Sequence, residues 1–265
     1  MSKETRLSSK NVAEERLGET RTMKCGEIAI IVNYTNNKNI TVKFKTTGEL
    51  VKTRYSSFKN GSVKSRFTPS VFGVGYLGNQ TSIDENGKAI KSYSVWNSML
   101  MRCYSDKYQK KHPTYKDCTV CEEWHNYSNF KEWFDNNYYE IEGEQMDLDK
   151  DILVKGNKVY SPDTCVFVPQ NINTLFIKSN KSRGNLPIGV CFNKDRNKFQ
   201  AQCSIFYNGK RQYKYLGLYN TIDDAFNAYK EFKEADIKQV AEEYKDKIPY
   251  ELYNAMYNYK VEITD

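Results

Sequence analysis

Residues Gly189 to Tyr229 read GVCFNKDRNKFQAQCSIFYNGKRQYKYLGLYNTIDDAFNAY, and this stretch decides how the C-terminal part of the chain folds. It holds three short runs that alternate apolar with polar residues, followed by a helical pattern. Side chains alternate across a strand, so Phe199, Ala201 and Cys203 share one face of the second run. Lys198, Gln200, Gln202 and Ser204 take the other face, joined by Arg211, Tyr213 and Tyr215 from the third run. Thr221 with Asp224 three residues on reads as a capping box and sets the helix start. Ala225, Tyr229, Ile237, Val240 and Tyr244 continue one buried helical face, and Pro249 ends that helix or precedes a last one over Tyr250 to Tyr257. Such a helix covers the Phe199 set and leaves the polar set open.

Outward from this unit, the chain has 265 residues, room for two domains or three small ones. It is polar, with 39% hydrophobic residues and a mean hydropathy of -0.77. With 21 Tyr, much of its core must be built from rings whose hydroxyls reach the surface. The net charge of +7 suits phosphate binding but is shared by many proteins of other function. The N-terminal MSKETRLSSKNVAEER lacks an apolar run, so neither a signal peptide nor a membrane span is expected. Seven scattered cysteines then read as reduced thiols of a cytoplasmic protein.

Residues 1–22 are polar and unpatterned and read as a flexible leader. Residues 23–78 hold strand-like runs over 27–34, 40–45 and 50–55 at hairpin spacing, which predict a small antiparallel β domain of SH3-like size. Lys52, Arg54, Lys59, Lys64 and Arg66 form either a phosphate-facing edge or a solvated face whose charges discourage edge pairing. Gly73, Gly75 and Gly78, with the turn-like 79–87, read as a linker. Within 90–178, Trp96, Met99, Leu100 and Cys103 form one helical stripe, and Tyr127, Phe130, Trp133 and Phe134 another. Both stripes are expected in a core. Residues 147–173 read as a hairpin and short helix, and 179–185 as a polar, basic linker into the domain 185–265. Cys118-Thr119-Val120-Cys121 is a CxxC, with Cys103, His112, His125 and Cys165 as the partners at hand. A second CxxC or a spaced His pair is missing, so zinc is not expected.

The C-terminal unit resembles the AP2 DNA-binding domain. The likeness rests on Gly189-Val190, Lys198-Phe199-Gln200-Ala201, Leu216-Gly217 and Ala225-Phe226-Asn227-Ala228-Tyr229, in order. The run Leu148-Asp149-Lys150-Asp151-Ile152-Leu153, continuing through Gly156-Asn157 and Pro162-Asp163-Thr164 to Asn171-Ile172-Asn173, resembles the ββα metal finger of HNH endonucleases. It is similar above all to degenerate versions in phage and bacterial genes that also carry an AP2 domain. The resemblance implies double-stranded DNA as partner and an Mg2+-type metal at the finger. Asp149 and Asn173 stand at metal-holding positions, Asp151 supplies a further hard oxygen, and Lys150 takes the place of the water-activating His. The strand-holding central Asn falls at Asp163 or Thr164. A protonated Lys is a poor general base, so cleavage is expected to be absent or slow. On the sheet, the resemblance puts base and phosphate contacts at the exposed strand positions. Cys191 and Asn193 replace first-strand arginines, and Tyr213 and Tyr215 stand where Arg and Trp are usual. Gln200 or Gln202 suits bidentate pairing with adenine, and Lys194, Arg196, Lys210 and Lys214 suit phosphate.

These readings give an α+β protein: a small antiparallel β domain, a helical middle with a finger-like ββα unit, and an AP2-like three-stranded sheet plus helix. The expected function is duplex DNA binding in the manner of HNH-AP2 homing endonucleases. Two alternatives stay open: an active Mg2+-dependent endonuclease or nickase, with His125 as a substitute base, and an interaction protein of a phage that binds and inhibits a host protein.

Overall fold

The computed structural model describes residues 9–177, 185–207 and 210–265, with side chains described outside 9–11, 206–207 and 210–211. The leader's first eight residues, the linker up to 184 and the side chains of Lys210 and Arg211 therefore lie outside the described residues. The protein is mixed α+β and divides into two compact units, one up to Asn136 and one from Asn137 to Asp265. Residues 90–178 contribute to both.

In the first unit, β1 (Thr20–Thr22), β2 (Ile28–Asn36), β3 (Asn39–Phe44) and β4 (Leu50–Thr53) form an antiparallel sheet in sequence order. Period-two alternation sends Ala29 and Ile31 of β2 and Ile40, Val42 and Phe44 of β3 into one core with Met23, Phe58 and Val63. Asn36 closes the β2–β3 turn, its Oδ1 accepting the Lys38 N–H at 2.9 Å. The leader departs from expectation, because it contains helix α1 (Ser9–Arg16) and the edge strand β1. Polar composition hides an anchor there. The Arg16 guanidinium lies 3.8 Å over the Tyr55 ring and donates to Tyr34 Oη at 2.6 Å.

A short helix, α2 (Tyr55–Lys59), follows β4. Downstream, α3 (Lys91–Tyr104), α4 (Asp106–Lys111), the short strand β5 (Thr119–Val120) and α5 (Tyr127–Asn137) complete this unit. The two aromatic stripes enter the core, Trp133 being half-buried at its edge, and Trp96 Nε1 donates to the Trp124 carbonyl at 2.6 Å. Two of the glycines in the stretch read as a linker, Gly75 and Gly78, let the chain pack closely. A Cβ on Gly75 would meet Leu100 and Trp96, and one on Gly78 would meet Asn126 and Ser128.

In the second unit, β6 (Met146–Asp149) pairs antiparallel with β8 (Val166–Pro169), with Leu148 opposite Phe167. The two-residue β7 (Val159–Tyr160) falls between them in the chain, outside their ladder, and the one-turn α6 (Gln170–Asn173) follows. A three-stranded antiparallel sheet comes next, with β10 (Lys198–Tyr207) between β9 (Val190–Asn193) and β11 (Lys210–Tyr219). The long helix Ile222–Tyr244 begins where expected, Thr221 Oγ1 accepting the Asp224 N–H at 3.1 Å. Its first half packs Ala225, Phe226 and Tyr229 against Val190, Ala201 and Cys203. Its second half gives Ile237 and Ala241 to another core, shared with Ile152, Val166, Val168, Ile172 and residues of the last helix, Tyr250–Tyr257. One helix thus welds the sheet to the β6–β8 pair.

Candidate nucleic-acid interface

Directly opposed residues in an antiparallel ladder project to the same side of the sheet. Val190 faces Ala201 and Phe192 faces Phe199, which places these four on the helix side. Lys198 faces Asn193, and Gln200 faces Cys191, on the open side. Gln202 faces Tyr215 and Ser204 faces Tyr213, extending the open side along β11. On β10, Ala201 and Cys203 are buried while Gln200, Gln202 and Ser204 are only half-buried, as alternation requires, and on β11 Tyr213 and Tyr215 are 68% and 57% exposed. Burial also pushes the Cys203 thiol up to about 11.

The amides on this face form a row. Asn193 Nδ2 donates to Gln200 Oε1 at 3.4 Å, and Gln200 Nε2 donates to Gln202 Oε1 at 3.2 Å. At one end sits the β9–β10 turn, which carries exposed Lys194 and Arg196. Asn193 Oδ1 accepts the Arg196 N–H at 3.0 Å, and Asn197 adopts φ 51°. Arg211 falls opposite Phe206 in the ladder, in phase with Ser204 and Gln202. Lys214 does not join them. It lies opposite Cys203, on the helix side, and a bulge between Ala201 and Gln202 leaves Leu216 without an opposite residue. Asn193, noticed in the sequence only as a missing arginine, turns out to be the link between turn and amide row.

The residues expected to form the finger site are placed differently. Asp149 Oδ1 accepts the N–H groups of Asp151 and Ile152 at 2.8 and 2.7 Å, which turns the chain at the strand end. Burial, then repulsion from Asp151, holds the Asp149 carboxyl above its ordinary range. Lys150 is buried, its Nζ 3.3 Å from Asp151 Oδ1 and 5.7 Å from the Tyr160 ring centre. Asn173 donates to Asp147 at 3.3 Å and Asn171 to Glu144 at 2.8 Å, whose Oε1 also accepts from Tyr244 at 2.7 Å. Asp149 thus spends Oδ1 on the strand-end turn and Asn173 spends an Nδ2 hydrogen on Asp147, and among the described residues no group of three or more His, Cys, Asp or Glu is arranged to hold a metal. As placed, these donors do not gather into the Mg2+ site that the resemblance implies.

The residue that holds the strand end is Asn157. Its Nδ2 donates to the carbonyls of Lys150 and Val159, both at 2.7 Å, while Thr164 Oγ1 donates to Val159 O at 3.0 Å. Its place after Gly156, in the turn of a long hairpin, was the only signal for it. His125 belongs to the other unit, where its Nε2 lies 3.2 Å from Tyr104 Oη.

No protein-family model matches this chain, and no curated protein or solved structure matches it either. Among the described residues, no helix is long and apolar enough to cross a membrane.

Proposed function

We propose that this chain binds double-stranded DNA through the open face of the β9–β10–β11 sheet, as its resemblance to HNH-AP2 homing endonucleases implies. One observation carries the reading. A sheet that packs Val190, Ala201 and Cys203 under the long helix presents Lys198, Gln200, Gln202, Ser204, Tyr213 and Tyr215 together on its other face, with Lys194 and Arg196 at one end. Amides and hydroxyls at strand spacing suit base edges, and the cations beyond them suit phosphates. In this reading the N-terminal meander is an SH3-sized domain. The β6–β8–α6 segment is an HNH-type finger kept as a folding unit, without the metal-held hydrolytic step. The protein then acts in the cytoplasm on duplex DNA.

Exposed Tyr213 and Tyr215 also favour a second reading, docking on a host protein. Salt separates the two. Fluorescence anisotropy on a labelled duplex across a salt series should show affinity falling steeply, with the slope set by phosphate contacts. Replacing Lys194 and Arg196 by Ala should shrink that slope by about one unit per lost contact. Absence of duplex binding at low salt would reject the DNA reading, and capture of a protein partner insensitive to salt would favour the second.

A further inference from the structure

The amide row on the open face is ordered in a way that selects a ligand. Asn193 is committed on both sides, its Oδ1 to the Arg196 N–H and its Nδ2 to Gln200. Gln200 spends one lone pair on Asn193 and one N–H on Gln202, which leaves it one donor and one acceptor. Gln202 spends only a lone pair within the row and keeps two donors and an acceptor, so it too can offer one of each. A carboxamide with one of each matches the N6 donor and N7 acceptor of adenine in the major groove, and matches guanine's two acceptors poorly. Tyr215 stands opposite Gln202, where its ring can meet the thymine methyl of the pair that Gln202 reads.

We infer that Gln200 and Gln202 read two A·T pairs, with Asn193 as the positioning residue that orients them; this rests on the DNA reading proposed above. The spacing is set by the strand. Alternate residues of a β-strand lie ~6.6–6.8 Å apart, and base pairs stack at roughly 3.4 Å. A strand laid along the groove therefore sets its two glutamines about two base-pair steps apart, so the two A·T pairs flank one unread pair.

The test is a selection from a randomised duplex pool with the full-length protein, followed by affinities for single-position variants. Two A·T positions separated by one indifferent position are expected, each preferred over G·C by roughly 5- to 150-fold. Gln200→Ala and Gln202→Ala should each erase preference at one position while thermal melting shows an intact fold. Duplexes carrying 7-deaza-adenine at the selected positions, which lack N7, should bind the unaltered protein more weakly, a readout that no folding defect can imitate. Preference for G·C, no preference, or indifference to 7-deaza-adenine in a protein that still binds duplex would overturn base reading by these glutamines and leave DNA binding standing. No duplex binding at all would overturn both.

Discussion

Cys191 and Cys203 are the simplest reporters of the two sheet faces. Cys203 lies under the long helix with its thiol pushed up to about 11, whereas Cys191 is half-buried on the open face, opposite Gln200. The thiolate is the reactive form, so an alkylating reagent at mildly alkaline pH should modify Cys191 in the native protein and reach Cys203 only on unfolding. Bound duplex should protect Cys191; peptide mapping that finds Cys203 modified as fast as Cys191 would refute the sheet assignment. At Asp149 folding raises the carboxyl's pKa above its ordinary value. Between the ordinary carboxylate range and the raised value the folded state binds more protons than the unfolded one, so this group's contribution to stability falls as pH rises through that window. Asp149→Asn keeps an acceptor for both N–H groups and removes the charge. Urea unfolding from about pH 4 to about pH 7 should then show a flatter profile than the parent, with stability at neutral pH equal or higher; a large loss at neutral pH would mean that the charge itself holds the turn. The two faces of β10 were legible because alternation there is strict. The position of Lys214 was not, since a candidate list drawn by charge ignores strand phase, and the bulge beside it leaves no mark in the composition.

At the scale of elements, Gly189 and the long helix are coupled. Gly189 has φ +78°, and a Cβ there would run into the Tyr229 ring, so the Gly-Val start and the Ala-x-x-Ala-Tyr helix are two halves of one contact. Gly189→Ala combines a left-handed backbone with a steric conflict and should destabilise by about 1–3 kcal/mol or more. A calorimetric melt unchanged within error would contradict the contact. Ile237, in the second half of the same helix, packs with Val166, Val168 and Ile172. Ile237→Ala should cost about 2–5 kcal/mol and loosen the β6–β8 pair as well as the helix. The helix start and its Ala225–Tyr229 face were legible from the Thr221 cap and the 3.6-residue period. Helix α1 was not, because it carries no apolar stripe and is held by Arg16 against Tyr34 and Tyr55, partners far along the chain that no local pattern announces. Likewise the resemblance put Asp149 and Asn173 at one metal, whereas Asn173 donates to Asp147, two residues earlier on the same face of β6.

For the molecule as a whole, the question is which piece carries binding. The sequence marks 185–265 as self-contained, because sheet and helix together satisfy the pattern of a small domain. The structure adds a second core. Ile237, Ala241, Leu252 and Met256 are covered in part by Ile152, Val166, Val168 and Ile172, all of which that piece lacks. Cutting at Asn185 exposes this surface, and a small domain with about 5–15 kcal/mol of total stability cannot lose several such contacts unharmed. The compact unit from Asn137 to Asp265 keeps both cores and every residue of the open face. It is therefore expected to melt cooperatively and bind duplex with the salt slope of the full chain, whereas 185–265 should melt at a lower temperature or aggregate. Within the longer piece, Lys214→Ala should leave the slope nearly unchanged, because Lys214 stands on the helix side opposite Cys203, while Lys198→Ala should lower it by about one unit. The reverse result, a slope lost with Lys214 and kept without Lys198, would move the DNA to the other side of the sheet and remove Gln200 and Gln202 from the interface.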